Sequence, residues 1–371
     1  MMHGARLRGA GVVAALLIAC VPAAAAIAKP PPAFYGVVAQ TEPGAADVDR
    51  MATGRVGTLR VTLPWTEIDA SPLPGSLDWR EFDQVVASSA RHGIRLLPTV
   101  FGTPHWVALA EGCDRPARSC EIFAPRSEIG LAAWQSFLLG AVARYGPQGA
   151  FWDQHPELAR RPIRTWQIWN EENSPGFFGP EPDPRAYELL VRAASEAIRA
   201  QDPGARLILG GMFGEPVGVG GVTPMPAPAY LRSLYESPGF ADHFDGIAIH
   251  PYAGRMKRVK PQVRRLRAVS RQVGDGGVGL WITETGWGSG KGPSPLDRGV
   301  RGQAQRLRQS LRYFTRKRER LGIELVAWYA WRDAPSEAGI CAWCATSGLF
   351  EHPDLTAKPA WKEFVRFTGG R

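Results

Sequence analysis

The 371-residue chain is 44% hydrophobic and 21% charged, the balance of a globular protein with a real core rather than of a disordered chain. Its length admits two average domains or one large α/β barrel. The net charge of +9 comes with no recognisable nucleic-acid-binding motif, so nucleic acid is not an expected partner.

Residues 1–28 read as a removable leader. Arg6 and Arg8 precede an apolar stretch at 10–19, and Ala26-Ile27-Ala28 supplies a small-x-small cleavage site. The stretch is too short for a permanent membrane anchor, so no transmembrane segment is expected. The mature chain, 29–371, is expected to be secreted, periplasmic or at the cell surface. Lipidation is the alternative, because Leu17-Ile18-Ala19-Cys20 resembles a lipoprotein acylation site, although Val21 follows in place of a small polar residue. If Cys20 leaves with the leader, four of the five cysteines remain. Cys113 with Cys120 and Cys341 with Cys344 is the preferred disulfide pairing among three possible ones. Export disfavours a four-cysteine zinc site, and Cys341-Ala342-Trp343-Cys344 does not lead a thioredoxin-like unit.

Beyond the leader, apolar runs at 34–39, 58–63, 94–101, 165–169, 205–210, 246–250, 278–283 and 324–330 read as strands. Most are continuously apolar, as expected of parallel strands covered on both faces. Helical patterns lie between them. One spans 81–92 and stops at Gly93; another starts at Ser127 and ends at Gly146. Asp183-Pro184 is an N-cap with proline at the first helical position, and a final helix at 359–367 is expected beneath the barrel. The alternation predicts a single-domain α/β fold, the (β/α)8 TIM barrel, with functional groups at the strand C-terminal ends. A doubly wound sheet would need a glycine-rich turn after the first strand, and Val37-Val38-Ala39-Gln40 has none. The Gly/Pro-rich stretch 214–228 follows the fifth strand and is expected over the functional rim. Stretches 255–271 and 298–320 are rich in arginine. Solvated outer helix faces explain them; the alternative is one basic patch facing an anionic polymer or phospholipid headgroups.

Strand ends collect polar groups that a core would not want: Arg60 on strand two, Asn170 and Glu171 on four, His250 and Tyr252 on six, Glu284 on seven and Trp331 on eight. Any one has a bland explanation, but on one rim they share a pocket. Two carboxylates on that rim, both beside tryptophan, suit hydrolysis of a glycosidic bond. Thirteen tryptophans are many for this length; several fill a core, and others offer flat faces for pyranose rings.

This pattern resembles the retaining glycoside hydrolases of clan A, with flavours of families five and thirty-nine (cellulase- and β-xylosidase-like). Trp169-Asn170-Glu171 is similar to their strand-four motif, Thr283-Glu284 to their strand-seven motif, and His250-Pro251-Tyr252 to the strand-six motif. Arg60 and Trp331 fall where the clan has its strand-two arginine and strand-eight tryptophan. The resemblance implies Glu284 as nucleophile and Glu171 as acid/base, acting on a β-linked carbohydrate without cofactor or metal. It also implies Asn170 at the sugar 2-hydroxyl and Trp331 as floor of the reactive subsite. His105, Trp106 and Trp287 are candidates for neighbouring subsites, with core packing as the even alternative. Glu172, the rival to Glu171, is expected to support its loop or face water. The chain is expected to act as a monomer. A catalytically inactive carbohydrate-binding barrel at the cell surface is the alternative class. The seven histidines form no His-x-His or His-Glu-x-x-His pair, and no Gly-x-Ser-x-Gly exists, which disfavours metallo- and serine hydrolases.

Overall fold

The computed structural model describes residues 29–73, 75–215, 221–335 and 341–371. The leader, with its acylation and cleavage signals, and part of the 214–228 stretch lie outside the described residues. Eight parallel strands close a barrel: β1 (Tyr35–Val38), β2 (Thr58–Pro64), β3 (Arg95–Phe101), β4 (Thr165–Ile168), β5 (Arg206–Leu209), β6 (Gly246–His250), β7 (Gly279–Thr285) and β8 (Ile323–Tyr329). Each pairs with its neighbours in sequence, and β8 returns to β1. Met212–Phe213 carries the line of β5 onward beside Ile249 and His250. The (β/α)8 expectation holds, and no strand end departs from its expected position by more than two residues.

Eight long helices form the outer ring: α1 (Ala45–Thr53), α2 (Arg80–His92), α3 (Glu128–Tyr145), α4 (Pro184–Gln201), α5 (Ala227–Tyr235), α6 (Met256–Gln272), α7 (Gly299–Leu321) and α8 (Pro359–Thr368). Their ends follow local chemistry. Ser127 Oγ accepts from the Gly130 N–H, and the Asp183 carboxylate accepts from the N–H groups of Arg185 and Ala186. Gly93 closes α2 in the left-handed region, where a side chain would be strained. Contrary to expectation, α8 is not beneath the barrel. It fills the outer ring between α7 and α1, with Thr368 Oγ1 donating to Gly54 O and the Arg371 N–H to Thr53 O.

The core has two parts. Val38, Leu97, Ile208, Ala248, Trp281, Leu325 and Ala327 fill the barrel interior. The larger part lies between strands and helices and takes most of the tryptophans. Eight of the thirteen are fully buried, which leaves few for binding. Both disulfides form as paired from the sequence, Cys113 with Cys120 and Cys341 with Cys344. Among the described residues, no helix is long and apolar enough to cross a membrane.

Candidate active site

Strand β4 ends at Ile168, and the next three residues turn sharply. Trp169 and Glu171 both take left-handed backbone conformations (φ 70° and 45°), which non-glycine residues adopt only when surroundings hold them there. The anchors are visible. The Trp169 N–H donates to Val100 O, its indole N–H donates to Phe177 O, and the Glu171 N–H reaches Gly210 O. The turn swings the Glu171 side chain inward, across the barrel mouth from Glu284 on β7.

One buried network joins the two carboxylates. Arg60 Nη1 donates to Glu284 Oε1 at 2.6 Å, Nε to Gln167 Oε1 at 2.6 Å, and Nη2 to Asn170 Oδ1 at 2.8 Å. The Tyr252 hydroxyl donates to Glu284 Oε2 at 2.7 Å. His250 Nδ1 lies 2.7 Å from Glu171 Oε1 and 3.6 Å from Glu284 Oε2. Its Nε2 meets Thr283 Oγ1 at 3.0 Å, and that oxygen accepts from Gln167 Nε2. Gly211 (φ 89°) makes room for the imidazole: a Cβ there would sit 2.4 Å from His250 Nε2. Oxygens of Glu171 and Glu284 and a ring nitrogen of His250 fall within 4.8 Å of one another.

Those three groups have the donor types of a metal site. A divalent ion there would, however, share Glu284 with the Arg60 guanidinium, and like charges at that range repel strongly in a buried setting. The donors are better matched to protons than to a cation.

Electrostatics separates the carboxylates. Burial raises both, and for Glu171 the neighbouring Glu284 charge adds to it, holding that carboxyl well above its ordinary range. Glu284 is raised by burial too, but the Arg60 guanidinium and the Tyr252 hydroxyl pull it back. When the pair holds one proton, Glu171 therefore carries it and Glu284 keeps the charge. Burial and Arg60 keep His250 well below the usual histidine range, hence neutral. Tyr252 is held well above the usual tyrosine range, by burial first and then by Glu284, so it remains a donor.

Arg60, Asn170, Glu171, His250, Tyr252 and Glu284 are thus brought together as expected. Trp331 and Trp287 are corrections. Strand β8 ends at Tyr329, and the turn after it carries Trp331 outward into the layer beneath α1 and α8, 1% exposed. There its indole N–H donates to Asp47 Oδ1 and its ring packs on Phe350 and Trp361. Trp287 is fully buried, donating to Ala253 O. Both rings are enclosed in the layer between strands and helices. His105 is exposed at the start of a short helix, and Trp106 is half-buried, donating to Asp69 O; neither bonds to the carboxylate network.

The residues that line the mouth instead were missed. Tyr329, half-buried at the end of β8, donates to Gln40 Oε1. Trp343, half-buried inside the Cys341–Cys344 loop, lies 5.0 Å from the Tyr252 ring and 5.9 Å from the Tyr329 ring. Gln40 Nε2 ties that loop down through Cys344 O at 3.1 Å. Gln167, polar in the middle of an apolar strand, was the available signal for the inner network. A cavity of about 630 Å³ lined by Glu42, Glu67 and Glu81 also takes in Gln40, the residue that accepts from Tyr329.

Glu172 does not face water. It is fully buried, and neither carboxyl oxygen has a hydrogen bond of good geometry among the described residues. Burial raises it to about 8, against a smaller opposing pull from the amides of Glu172 and Gly210. From pH 4.5 to about 8 the folded chain holds a proton that the unfolded chain has released, so stability falls as pH rises through that window. The shift corresponds to about 5 kcal/mol as an upper bound. Glu172→Gln should leave the thermal midpoint unchanged at pH 4 and raise it at pH 9; equal midpoints at pH 9 would refute this.

No protein-family profile and no curated relative match the sequence. Solved structures do match its fold. A family 39 glycoside hydrolase from Bacteroides cellulosilyticus WH2 superposes with a TM-score of 0.66 at 20% identity, over 91% of this chain and 64% of that one. A monomeric β-xylosidase from Caulobacter crescentus CB15 gives 0.63 at 17% identity, over 91% and 69%. A family 10 structure from Paenibacillus barcinonensis gives 0.58 at 17% identity, over 92% and 96%. The chain therefore has the barrel fold of glycoside hydrolases; it spans about two thirds of the length of the first two structures and nearly all of the third. Within that class its likeness includes family 39, one of the two expected from the sequence.

Proposed function

We propose that the chain is a retaining glycoside hydrolase that cleaves β-O-glycosidic bonds of an oligo- or polysaccharide, acting as a secreted monomer. The supporting observation is the pairing of Glu171 and Glu284 within 4.8 Å in unlike surroundings. A carboxyl separation of about 5 Å leaves no room for an intervening water, so one carboxylate attacks directly. Glu284, charged beside Arg60, forms a bond to the anomeric carbon. Glu171 transfers its proton to the departing glycosidic oxygen as that C–O bond breaks. In the second step Glu171, now a carboxylate, takes a proton from water while the water oxygen attacks the anomeric carbon and releases Glu284.

Asn170 gives its carbonyl oxygen to Arg60, which leaves its amide N–H groups without a protein acceptor among the described residues. They suit the sugar 2-hydroxyl, a contact that tightens in the oxocarbenium-like transition state. His250, neutral and tethered through Thr283, fits a role in orienting Glu171 in both protonation states. The binding-only alternative gives no reason for a buried carboxylate pair with an arginine on one member.

A panel of aryl β-glycosides, followed by trapping with a 2-fluoro sugar, tests this reading. Labelling of the peptide containing Glu284 is expected, and hydrolysis with inversion at the anomeric carbon would overturn it. Trp343 and Tyr329 are the proposed aromatic walls. Trp343→Ala should raise KM about tenfold, near 1.4 kcal/mol of lost contact, with an unchanged thermal midpoint. Trp331→Ala should do the reverse, costing about 3–5 kcal/mol of stability. A KM effect from Trp331 alone would restore the sequence-based assignment.

A further inference from the structure

The excess of positive charge is concentrated in two segments of the chain. Residues 255–272 and 298–321 hold 17 of its 44 lysines and arginines but one of its 35 acidic residues, Glu319. Their net +16 against +9 for the whole leaves the remainder at −7. The structure lays the two segments side by side, with Arg267 buried between them. Lys260 Nζ sits 5.1 Å from the Tyr313 ring centroid, Arg267 Nε donates to Leu321 O, and Arg271 Nη2 donates to Arg320 O. Helices α6 and α7 therefore run parallel and in contact, presenting one strip about 25 Å long.

The strip starts at the catalytic rim, because each helix follows the C-terminal end of a barrel strand. Arg255 and Arg298 stand immediately before α6 and α7, and Arg255 is three residues beyond Tyr252. Their loops touch: a Cβ on Gly254 would lie 2.6 Å from Pro295 O. Arg306 lies against the same corner. Its Nε is buried without a partner, and its guanidinium is held below the ordinary range by burial and then by Arg298 and Arg255. Among the described residues, no carboxylate pairs with Arg255, Arg298, Arg301, Arg264 or Arg265. Such a concentration of like charge costs stability unless an anion offsets it.

We propose that this face binds a carboxylated polysaccharide and leads it to the rim, so that the neighbouring site acts on uronate-bearing glycans. The substrate half of this proposal rests on the glycosidase reading above; the binding half stands without it. Two observations favour this occupant over a lipid surface. Arginine dominates the strip, and the exposed Arg255, Arg264, Arg265, Arg298 and Arg301 each carry a planar fork that matches a carboxylate with two parallel hydrogen bonds. The large exposed apolar residues of this region, Val273 and Val300, sit at the ends of the strip, so its length offers nothing to insert among acyl chains.

Binding to polygalacturonate, neutral xylan and anionic phosphatidylserine vesicles should be measured for wild type and for the exposed-residue variants Arg255→Gln/Arg298→Gln/Arg301→Gln and Arg264→Gln/Arg265→Gln. Wild type is expected to bind polygalacturonate at about 20 mM NaCl and to lose about tenfold or more in affinity by about 300 mM, where the Debye length has shrunk to a few ångströms. The triple variant should lose about tenfold at low salt, the double variant less, and both should hydrolyse a small neutral aryl glycoside at the wild-type rate. Absence of polygalacturonate binding, equal binding to neutral xylan, tighter binding to vesicles, or unchanged affinity in the triple variant would each overturn the proposal. Polygalacturonate binding without any glycosidase activity would sustain the surface and overturn the earlier reading together with the substrate half.

Discussion

Glu284→Gln should reduce kcat on every substrate by on the order of 10⁵-fold, the scale seen when a covalent nucleophile is removed. The amide keeps the shape of the side chain and one acceptor for Arg60, so the barrel should still fold and bind glycan. What it lacks is the charge that Arg60 Nη1 and the Tyr252 hydroxyl stabilise at 2.6 and 2.7 Å. The same change should also lower the Glu171 pKa, because repulsion from Glu284 is part of what raises it. Arg60 would then be neutralised by Glu171 across the site, which limits the cost of leaving a buried guanidinium without its partner. Infrared titration of the carboxyl band reports that shift directly. Turnover within tenfold of wild type would remove Glu284 from the chemistry.

Glu171→Gln should give a loss that depends on the leaving group. Substrates with a poor leaving group need a proton on the departing oxygen, and for these kcat/KM should fall by about 10²–10⁴. A dinitrophenyl glycoside needs no such proton, so its first step should survive. The second step then lacks its base, and the glycosyl-enzyme should accumulate as a burst. The wild-type pH profile should be a bell: activity is lost on the acid side as Glu284 takes up a proton and on the alkaline side as Glu171 gives one up. In the variant the alkaline limb should disappear for the activated substrate. Equal losses for good and poor leaving groups, or the leaving-group dependence appearing in Glu172→Gln instead, would reassign the acid.

The legible parts of the sequence were those governed by local chemistry. Continuous apolar runs mark strands covered on both faces, and Ser127, Asp183 and Gly93 mark helix ends through their own hydrogen bonds or backbone freedom. Strand order follows from right-handed crossovers, so a polar residue at a strand end belongs to one rim before any coordinate is known. That reasoning gathered Arg60, Asn170, Glu171, His250, Tyr252 and Glu284. Spacing also favoured, among three possible pairings, the one that forms, since each pair closes a short loop.

Other assignments depended on how the chain leaves a strand, which hydrophobicity does not encode. Tyr329 and Trp331 are two residues apart and equally aromatic, yet β8 ends between them: one ring is left at the mouth and the other enters the core against Phe350 and Trp361. Trp343 is far from the strands in sequence and reaches Tyr252 only because the Cys341–Cys344 loop folds back over the mouth. Glu171 and Glu172 are chemically identical, and the positive φ at Glu171 alone sends one into the site and the other into a dry pocket beside Gly210. Residue type and order therefore determined the barrel and the six rim groups. Tertiary packing decided which aromatic faces the sugar and which of two adjacent carboxyls reaches it, because side-chain direction at a strand end is set by contacts that form only when the barrel closes.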